Sequence, residues 1–419
     1  MDFFDVVSVQ EARDKIMENF KGYEFKIEEI SILEATDRIL AESIYSGINV
    51  PEFDRSTVDG YAIKFKDSQG ASESVPSLFN ILGEVKMGET PKSSIKSGET
   101  MYVPTGGMIP EGADGMVMVE YTEKLDEENL MVYKPISFNE NIVLKGDDIK
   151  KGEIVLKKGR RISPEVVGVL AALGISKVKV YKKPKFYIIS TGDEIIDLDE
   201  ELELGKIRDI NSYTLYSTIV KLGGKITGKT IIKDDYELLR KEVEKAIAIS
   251  DIVLISGGSS VGTRDYTGKV IDSFNGKGVF VHGISIKPGK PTILGEGKGK
   301  LIVGLPGHPV SSIIVFKAIV EEYIYKKMGV IDYKLKTKVI MDFNFPSSPG
   351  RETYQMVKLQ NRDSKIYATP SFGKSGMITL LSNSDGYIII KPHEEGIYKG
   401  EEREVYLLWK LYIMNCILK

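Results

Sequence analysis

Short apolar runs alternate with helical segments between residues 186 and 327, and this regularity constrains the fold more than any other feature of the chain. The runs predicted to be strands are 186–189, 225–232, 252–255 and one near 301; the predicted helices are 212–222, 236–249, one starting near 265, and 311–328. Such alternation predicts a mostly parallel sheet with helices on both faces. A sheet of this kind binds ligands outside the carboxyl ends of its strands. Gly-rich and Pro-rich turns lie there, between residues 252 and 312, and predict a site for an anionic, phosphate-bearing ligand.

The regions on either side of this alternation predict different structures. Helices are predicted at residues 8–20, 31–40 and 166–173, the first because Ser8 and Glu11 have the spacing of a capping box. All-β regions are predicted at 61–144 and from 334 onward, where short apolar runs are separated by Gly and Pro turns. The fold class is therefore predicted to be α/β multidomain, with a central mostly parallel α/β domain, an all-β insertion and a small C-terminal β domain.

Composition and charge argue against several classes of protein. The 419 residues carry a formal net charge of -3 with both signs interspersed, which argues against nucleic-acid binding and against a basic membrane anchor. Cys416 is the only cysteine, so no disulfide framework or cysteine-rich metal site is predicted, as expected for a reducing cytosol. The acidic start does not resemble a signal peptide, and no run of about twenty apolar residues occurs. We therefore expect a cytoplasmic protein without a membrane span.

A Gly-rich turn follows the predicted strand 252–255. Gly257, Gly258, Ser259 and Gly262 allow the backbone to approach a ligand closely and to present several N–H groups in a row, as a bound phosphate requires. A flexible connection between a strand and a helix explains the same glycines, and spacing alone leaves the two interpretations open.

Two further turns contain residues suited to anions. Prolines stiffen the turn that carries Lys287 and Lys290, whose ammonium groups are compact positive charges suited to phosphate, although ordinary surface lysines remain an alternative. Pro306 and Pro309 lead into a helix with Ser312 in its first turn, and a helix N-terminus favours anions. A capped strand-to-helix connector is the alternative for this second turn.

Three carboxylates each follow a different predicted strand. Glu194, Asp234 and Asp265 would meet at one edge of a parallel sheet, where together they could bind a hard cation such as Mg²⁺ that bridges phosphate oxygens. Each one alone is as easily explained as a helix N-cap. The set favours a cation site.

The remaining candidates lie in polar loops of the predicted insertion. The loop 54–62, which contains Asp59, is dense in polar side chains and predicts a functional site, although a turn with an Asp-Gly step is an equal alternative. For Thr105 and Asp148 a functional and a purely structural interpretation are likewise both open. The chain lacks a phosphate-binding P-loop, a serine nucleophile elbow and a His-Glu-x-x-His zinc motif. With three histidines, a histidine-rich zinc site is not expected.

Seven of these motifs occur together, at 54–62, 104–106, 146–149, 190–194, 256–266, 287–291 and 304–309. In this order they resemble the molybdopterin molybdenumtransferase family, which includes MoeA and the E domain of gephyrin, and the similarity extends over essentially the whole chain. The resemblance implies four domains. They are an elongated N-terminal helical and linker domain (1–50 with 145–182), the β insertion (51–144), a MogA-like molybdopterin-binding domain (183–329) and a C-terminal β-barrel (330–419).

The resemblance also implies a reaction and its partners. Adenylylated molybdopterin and molybdate would react with the help of Mg²⁺ to give molybdenum cofactor and AMP, in a homodimer whose cleft lies between the α/β domain of one subunit and the insertion of the other. The molybdopterin adenylyltransferase is a candidate partner. The implied catalytic residues are Asp59, Thr105, Asp148, Glu194, Asp234 and Asp265, of which the last three would bind the metal. The implied substrate-binding residues are Gly257, Gly258, Ser259, Gly262, Lys287, Lys290, Pro306, Pro309, Ser312, Arg351 and Ser375.

Some positions depart from the family's pattern. Thr57 and Val58 replace a common Ala-Met, His308 stands where many members have Asn, and the end of the chain from Leu411 has no counterpart. Three other functions therefore remain in competition. They are a tungstate-preferring paralogue, a molybdopterin-binding scaffold without catalysis, and the related adenylyltransferase, against which the insertion and the C-terminal domain argue.

Overall fold

A computed structural model describes residues 6–257, 266–331 and 334–408. Its central domain contains a six-stranded sheet whose strands, in spatial order, are Lys225–Ile232, Lys185–Thr191, Ile252–Ser256, Lys300–Leu305, Ile293–Gly297 and Gly278–His282. The first four are parallel, and the last two run antiparallel to their neighbours. The predicted mostly parallel sheet is therefore confirmed.

Helices cover both faces of this sheet. Alternate residues of the strands point to opposite sides. Ile188 and Leu254 pack with the helix Asn211–Leu222 and with the helical segment 309–328, whereas Ile189 and Ile255 pack with Tyr236–Ile249 and Thr267–Asp272. The two predicted layers of helices are confirmed. The segment 309–328 is not uniform, since it consists of Pro309–Val315, a π-helical stretch Phe316–Glu321, and Glu322–Met328.

The insertion forms a second six-stranded sheet. Its order is Gly115–Met118, Gly60–Ile63, Glu99–Val103, Ser77–Glu84, Asn129–Val132 and Thr122–Lys124, with the short 3-10 helices Phe65–Ser68 and Val119–Tyr121. The all-β prediction for this region is thus confirmed.

The N-terminal region and the segment after the insertion are built mainly from short paired strands. These pairs are Ile27–Ser31 with Lys177–Tyr181, Ile44–Tyr45 with Ile154–Leu156, and Arg55–Ser56 with Ile142–Val143. The helix Val9–Asn19 begins with the predicted capping box of Ser8 and Glu11, and the helix predicted at 166–173 forms as Pro164–Ala172.

The helix predicted at 31–40 is wrong. Only a single 3-10 turn, Ile32–Glu34, forms there, and Asp37 has a φ of 65°, which an α-helix does not tolerate. Ile39 and Leu40 instead form β-bridges with Arg161 and Val180. The apolar residues of this stretch are therefore buried by extended backbone, although their spacing resembles that of a helix.

The C-terminal region is a closed five-stranded barrel. Its strands follow the cyclic order Glu352–Arg362, Lys365–Pro370, Lys336–Met341, Glu402–Leu407 and Gly386–Ile390, and the last pairs with the first. Smaller elements are the pairs Ile195–Ile196 with Ile207–Arg208 and Phe345–Pro346 with Gly396–Ile397, the short strand Ile286–Lys287, and the helix Ile378–Ser382. Among the described helices, none has the length and apolar character that crossing a membrane requires.

Candidate functional site

The carboxyl ends of the parallel strands meet at one edge of the central sheet. Thr191 pairs with Ile232, and Ser256 pairs with Leu305. The residues that follow these four strands, which include Glu194, Asp234, Gly257 and Pro306, therefore emerge along the same edge. This is the position that the sequence predicts for the ligand crevice.

Gly257 occupies a position that only glycine fits. Its φ is 106°, and a Cβ added to it would lie 2.2 Å from the carbonyl oxygen of Thr191 and 2.8 Å from Thr191 Oγ1. The strand Ile252–Ser256 thus turns sharply against its neighbour. The other predicted residues of this turn, Gly258, Ser259, Gly262 and Asp265, lie outside the described residues.

Glu194 and Asp234 follow neighbouring strands, and the backbone between these strands is tied. The carboxylate of Asp193 accepts a hydrogen bond of 3.3 Å from the backbone N–H of Asp234, and Gly192 N–H donates to Ile232 O. Glu194 is exposed. Over the described ranges, no group of three His, Cys, Asp or Glu side chains is close enough to bind a metal ion. Of the three predicted cation ligands, the structure describes Glu194 and Asp234.

A cluster of buried polar atoms at this edge was not predicted from the sequence. Within the described residues, seven buried side-chain polar atoms lack a hydrogen-bond partner, and six of them belong to residues at or beside the strand ends: Ser190, Thr191, Asp209, Asn211, Ser212 and Ser312. Of these, only Ser312 was among the predicted site residues. Because buried polar groups in proteins are nearly always hydrogen-bonded, such a concentration indicates a surface that binds a polar ligand.

Asn211 connects the strand ends to each other. Its Nδ2 donates to Ser256 Oγ at 2.8 Å and to the carbonyl oxygen of Gly307 at 2.7 Å. Asp209 Oδ1 accepts from the backbone N–H of Ser212 at 3.0 Å, in the first turn of the helix Asn211–Leu222. In the sequence these residues look like an ordinary helix N-terminus, because the contacts of Asn211 are with residues far along the chain.

The turn that carries the predicted lysines packs on the helical segment 309–328. Gly289 is buried, and a Cβ added to it would lie 2.5 Å from Val315 Cγ2. Thr292 Oγ1 donates to Gly289 O at 2.7 Å and closes the turn. Lys287 and Lys290 have exposed side chains on this rigid support.

Arg351 of the barrel lies beside the turn that carries the two lysines. The strand Ile286–Lys287 pairs in parallel with Glu352 and Thr353, so Arg351 directly precedes the barrel strand that pairs with Lys287. Ser285 Oγ also donates to Gly350 O at 2.6 Å. The predicted substrate residue of the barrel is thus held next to the lysine turn.

Ser375 is brought to the turn formed by Pro306 and Pro309. Its Oγ lies 2.8 Å from His308 Nδ1, and its carbonyl oxygen accepts from the N–H of Val310 at 3.2 Å. Both prolines are buried, and Pro309 is the first residue of the helix. The predicted residues Pro306, Pro309, Ser312 and Ser375 therefore lie around one helix N-terminus.

The predicted residues of the insertion form a second group. Asp59 Oδ1 accepts from the backbone N–H of Thr105 at 2.8 Å, and the two residues are exposed. Asp148 is exposed on a neighbouring segment, beside the β-bridge between Val50 and Ile149. Tyr102, which the sequence did not single out, is also near, since burial and then the negative charge of Asp59 raise its pKa.

Comparison with known protein families finds three matches along the chain. Residues 7–174 match the MoeA N-terminal region (domain I and II), residues 187–326 match a probable molybdopterin binding domain, and residues 338–408 match the MoeA C-terminal region (domain IV).

Curated relatives cover nearly the same length. The chain is 38% identical over 391 residues to a putative molybdopterin biosynthesis protein of Methanocaldococcus jannaschii, with 91% of this chain and 92% of the relative covered. It is 30% identical over 401 residues to the molybdopterin molybdenumtransferase of Haemophilus influenzae, with 94% and 97% covered.

A solved structure has the same fold throughout. The molybdopterin biosynthesis MoeA protein of Pyrococcus horikoshii superimposes with a TM-score of 0.81 at 38% identity, covering 97% of this chain and 100% of that protein. The similarity therefore includes the insertion and the barrel as well as the central domain.

Proposed function

The chain belongs to the MoeA family, and on this basis we propose that it is a cytoplasmic molybdopterin molybdenumtransferase that inserts molybdate into adenylylated molybdopterin with release of AMP. One observation carries the proposal to this particular site. The buried polar atoms without a hydrogen-bond partner lie at the strand edge, where the lysine turn also meets the barrel. The family matches extend over nearly the whole chain that forms this site.

The reaction requires charge balance and positioning more than covalent chemistry. The phosphoanhydride of the substrate and the molybdate are anions, and preorganised donors and cations stabilise charge that develops as the anhydride is cleaved. Lys287, Lys290 and Arg351 would supply the cations. The N-terminus of the helical segment that starts at Pro309 would add the positive end of its backbone dipoles.

Glu194 and Asp234 would hold Mg²⁺. Two carboxylates suit this ion, which is usually bound through one or two carboxylates together with phosphate oxygens and water. Bound there, the ion would neutralise charge on the phosphate oxygens. Asp265 is the third proposed ligand.

The insertion would complete the site of a second subunit. Asp59, Thr105 and Asp148 are exposed and lie in loops outside the central sheet. Their exposure in one chain supports a role across an interface. In a homodimer they would face the strand edge of the partner.

In vitro reconstitution tests this function. Purified protein is incubated with adenylylated molybdopterin, Mg²⁺ and either molybdate or tungstate; AMP is measured by chromatography, and metal in the product by mass spectrometry. We expect AMP release that depends on molybdate, and we expect Glu194→Gln to reduce it at least a hundredfold, in the range found when one electrostatic group of an active site is removed. Glu201→Gln, an exposed residue of the following segment, is the matched control.

Each alternative predicts a different result in this assay. Preference for tungstate would identify the paralogue. Binding of molybdopterin without AMP release would identify a scaffold, and consumption of ATP with free molybdopterin would identify an adenylyltransferase.

A further inference from the structure

His308 connects the central domain to the barrel through a side-chain contact. Its Nδ1 lies 2.8 Å from Ser375 Oγ, and the other edge of the ring faces Gly376, where an added Cβ would lie 3.9 Å from Nε2. The imidazole thus lies along the segment that contains Ser375.

The backbone beside His308 is fixed from the opposite side. The carbonyl oxygen of Gly307 accepts the hydrogen bond from Asn211 Nδ2, and Asn211 also contacts Ser256 at the end of a central strand. The carbonyl oxygen of His308 accepts from the N–H of Ser312 in the first turn of the helix. The ring is therefore presented to Ser375 from a well-anchored loop.

We propose that His308 is a positioning residue that sets the direction of the Ser375 hydroxyl toward a bound oxyanion. The proposal rests on the proposed function, in which that oxyanion is molybdate. A serine hydroxyl has one proton to donate and can also accept. When Nδ1–H of His308 donates to Ser375 Oγ, the Ser375 hydroxyl can donate its own hydrogen bond to the oxyanion. When Nδ1 is unprotonated, Nδ1 accepts the hydrogen bond from the hydroxyl, which then has no proton left for the oxyanion.

The contact is not needed to attach the barrel. Leu381, Met356 and Leu408 of the barrel region share one buried apolar cluster with Ile313 and Ile324 of the central domain. The pairing of Ile286–Lys287 with the barrel and the bond from Val310 N–H to Ser375 O add to this attachment. Loss of the exposed imidazole should therefore leave the domains in place, so that its effect is on the hydroxyl.

Nuclear magnetic resonance tests the contact without enzyme activity. The chain has three histidines, so their ring nitrogens can be resolved in protein labelled with ¹⁵N, and His308 is identified by the signals lost in His308→Asn. We expect Ser375→Ala, and separately the addition of molybdate, to shift the His308 Nδ1 signal and to leave that of His393 unchanged. An unchanged His308 signal in either experiment would overturn the proposal, whatever the enzyme catalyses.

Kinetics test the role in the reaction. We expect His308→Ala to raise KM for molybdate roughly tenfold with little change in kcat, the effect of losing one hydrogen bond to substrate. His308→Asn, whose amide can donate to Ser375, should restore KM to within about threefold of the wild type. In Ser375→Ala, the further change His308→Ala should have no effect on KM, because the hydroxyl is already absent.

The outcomes separate this proposal from the proposed function. His393→Ala removes an exposed histidine of the same barrel and serves as the control. Additive effects of His308→Ala and Ser375→Ala on KM would show a structural role and contradict the proposal. A fall of kcat in His308→Ala together with a loss of thermal stability would contradict it as well. If wild-type protein released no AMP, the proposed function would fail, and the His308 signal in the presence of molybdate would still decide the present inference.

Discussion

At the residue scale, buried polar atoms without partners at the strand edge lower the stability of the protein and favour binding of a polar ligand. A buried polar atom without a partner costs about 1–3 kcal/mol, and six such atoms lie together at this edge among the described residues. A polar ligand that satisfied several of them would recover part of this free energy on binding. The orphaned atoms of Ser190, Thr191 and Ser312 are therefore best understood as part of the site.

Substitution of Gly257 should damage this edge specifically. In Gly257→Ala the new Cβ would lie 2.2 Å from the Thr191 carbonyl oxygen, so the strand end must move. We expect activity to fall at least tenfold and the free energy of unfolding to fall by about 1–3 kcal/mol, measured by urea denaturation. Gly299→Ala, at φ +79° with no atom within 4 Å, has the unfavourable φ without the clash and should retain full activity. Equal activity in the two variants would contradict this role of Gly257.

Sequence patterns predicted those candidate site residues whose chemistry is visible along the chain. Glu194 and Asp234 follow apolar runs, and Lys290 lies between Gly289 and Pro291, so residue type and position together led to their prediction. Ser190 and Thr191 lie in the motif 190–194 but were not predicted as site residues, and Ser212 is an ordinary residue in the sequence. Their importance comes from burial among residues distant in the chain, which periodicity does not encode.

The elements that were predicted accurately are those with strong local signals. The helix Tyr236–Ile249 was predicted with its observed bounds, because its apolar face is regular and Asp235 caps its N-terminus. The stretch 31–40 has a similar apolar spacing but forms β-bridges, since tertiary pairing outweighs a weak helical preference. The π-helical stretch in 309–328 also depends on contacts that local sequence does not specify.

Arg13 should stabilise this irregular helical segment. Its Nε donates to the carbonyl oxygen of Ala318, in the π-helical stretch, at 2.8 Å. Arg13→Met would leave this oxygen without its donor, and we expect the free energy of unfolding to fall by about 1–3 kcal/mol in urea denaturation. Glu18→Met places the same side chain at an exposed position of the helix Val9–Asn19 and should change the free energy of unfolding by less than about 0.5 kcal/mol. A similar loss in both variants would show that the helix Val9–Asn19, and not the bond, is responsible.

The segment after Glu194 should make stability depend on pH. The Tyr213 hydroxyl, the Leu198 N–H and Lys229 lower the pKa of Asp197 below its ordinary value of 3.8. The folded state therefore binds this proton less tightly than the unfolded state. The resulting stabilisation is present above about pH 4 and is lost as pH falls through the lower folded pKa.

The variant Asp197→Asn measures this contribution. We expect it to be less stable than the wild type at pH 6 and the difference to shrink at pH 3, in urea denaturation at both values. Asp199→Asn alters an exposed neighbour and should show no such trend. A difference that grew toward low pH would have the wrong sign for a lowered pKa.

At the scale of the whole molecule, sequence motifs predicted the order of the domains, whereas the homodimer with a shared cleft was predicted only from the family resemblance and stays a prediction. The motifs marked a β insertion inside an N-terminal region, an α/β domain and a β-barrel. The insertion, the α/β domain and the barrel have the expected architecture, whereas the N-terminal region, expected to be helical, is built mainly from short paired strands. The meeting of Arg351 and Ser375 with the central domain depends on packing of the barrel, which the sequence indicated only through family resemblance. The proposal that Asp59 faces Glu194 of a second subunit needs a test of its own.

Complementation between two inactive variants provides this test. In a two-fold symmetric dimer with shared sites, a subunit carrying Asp59→Asn and one carrying Glu194→Gln form one site with both changes and one intact site. If the variants assort randomly, heterodimers are half of all dimers, so we expect about one quarter of wild-type AMP release after co-expression. Each variant alone should be inactive.

The control pairs two changes on the same side of the proposed cleft. Glu194→Gln and Asp234→Asn both alter the central domain, so no heterodimer of these two variants contains an intact site, and no activity should return. If each site were built within one chain, the pair Asp59→Asn and Glu194→Gln would be equally silent, since every chain would carry a defect. Recovery in the first pair and none in the second therefore requires that Asp59 act on the strand edge of the partner subunit.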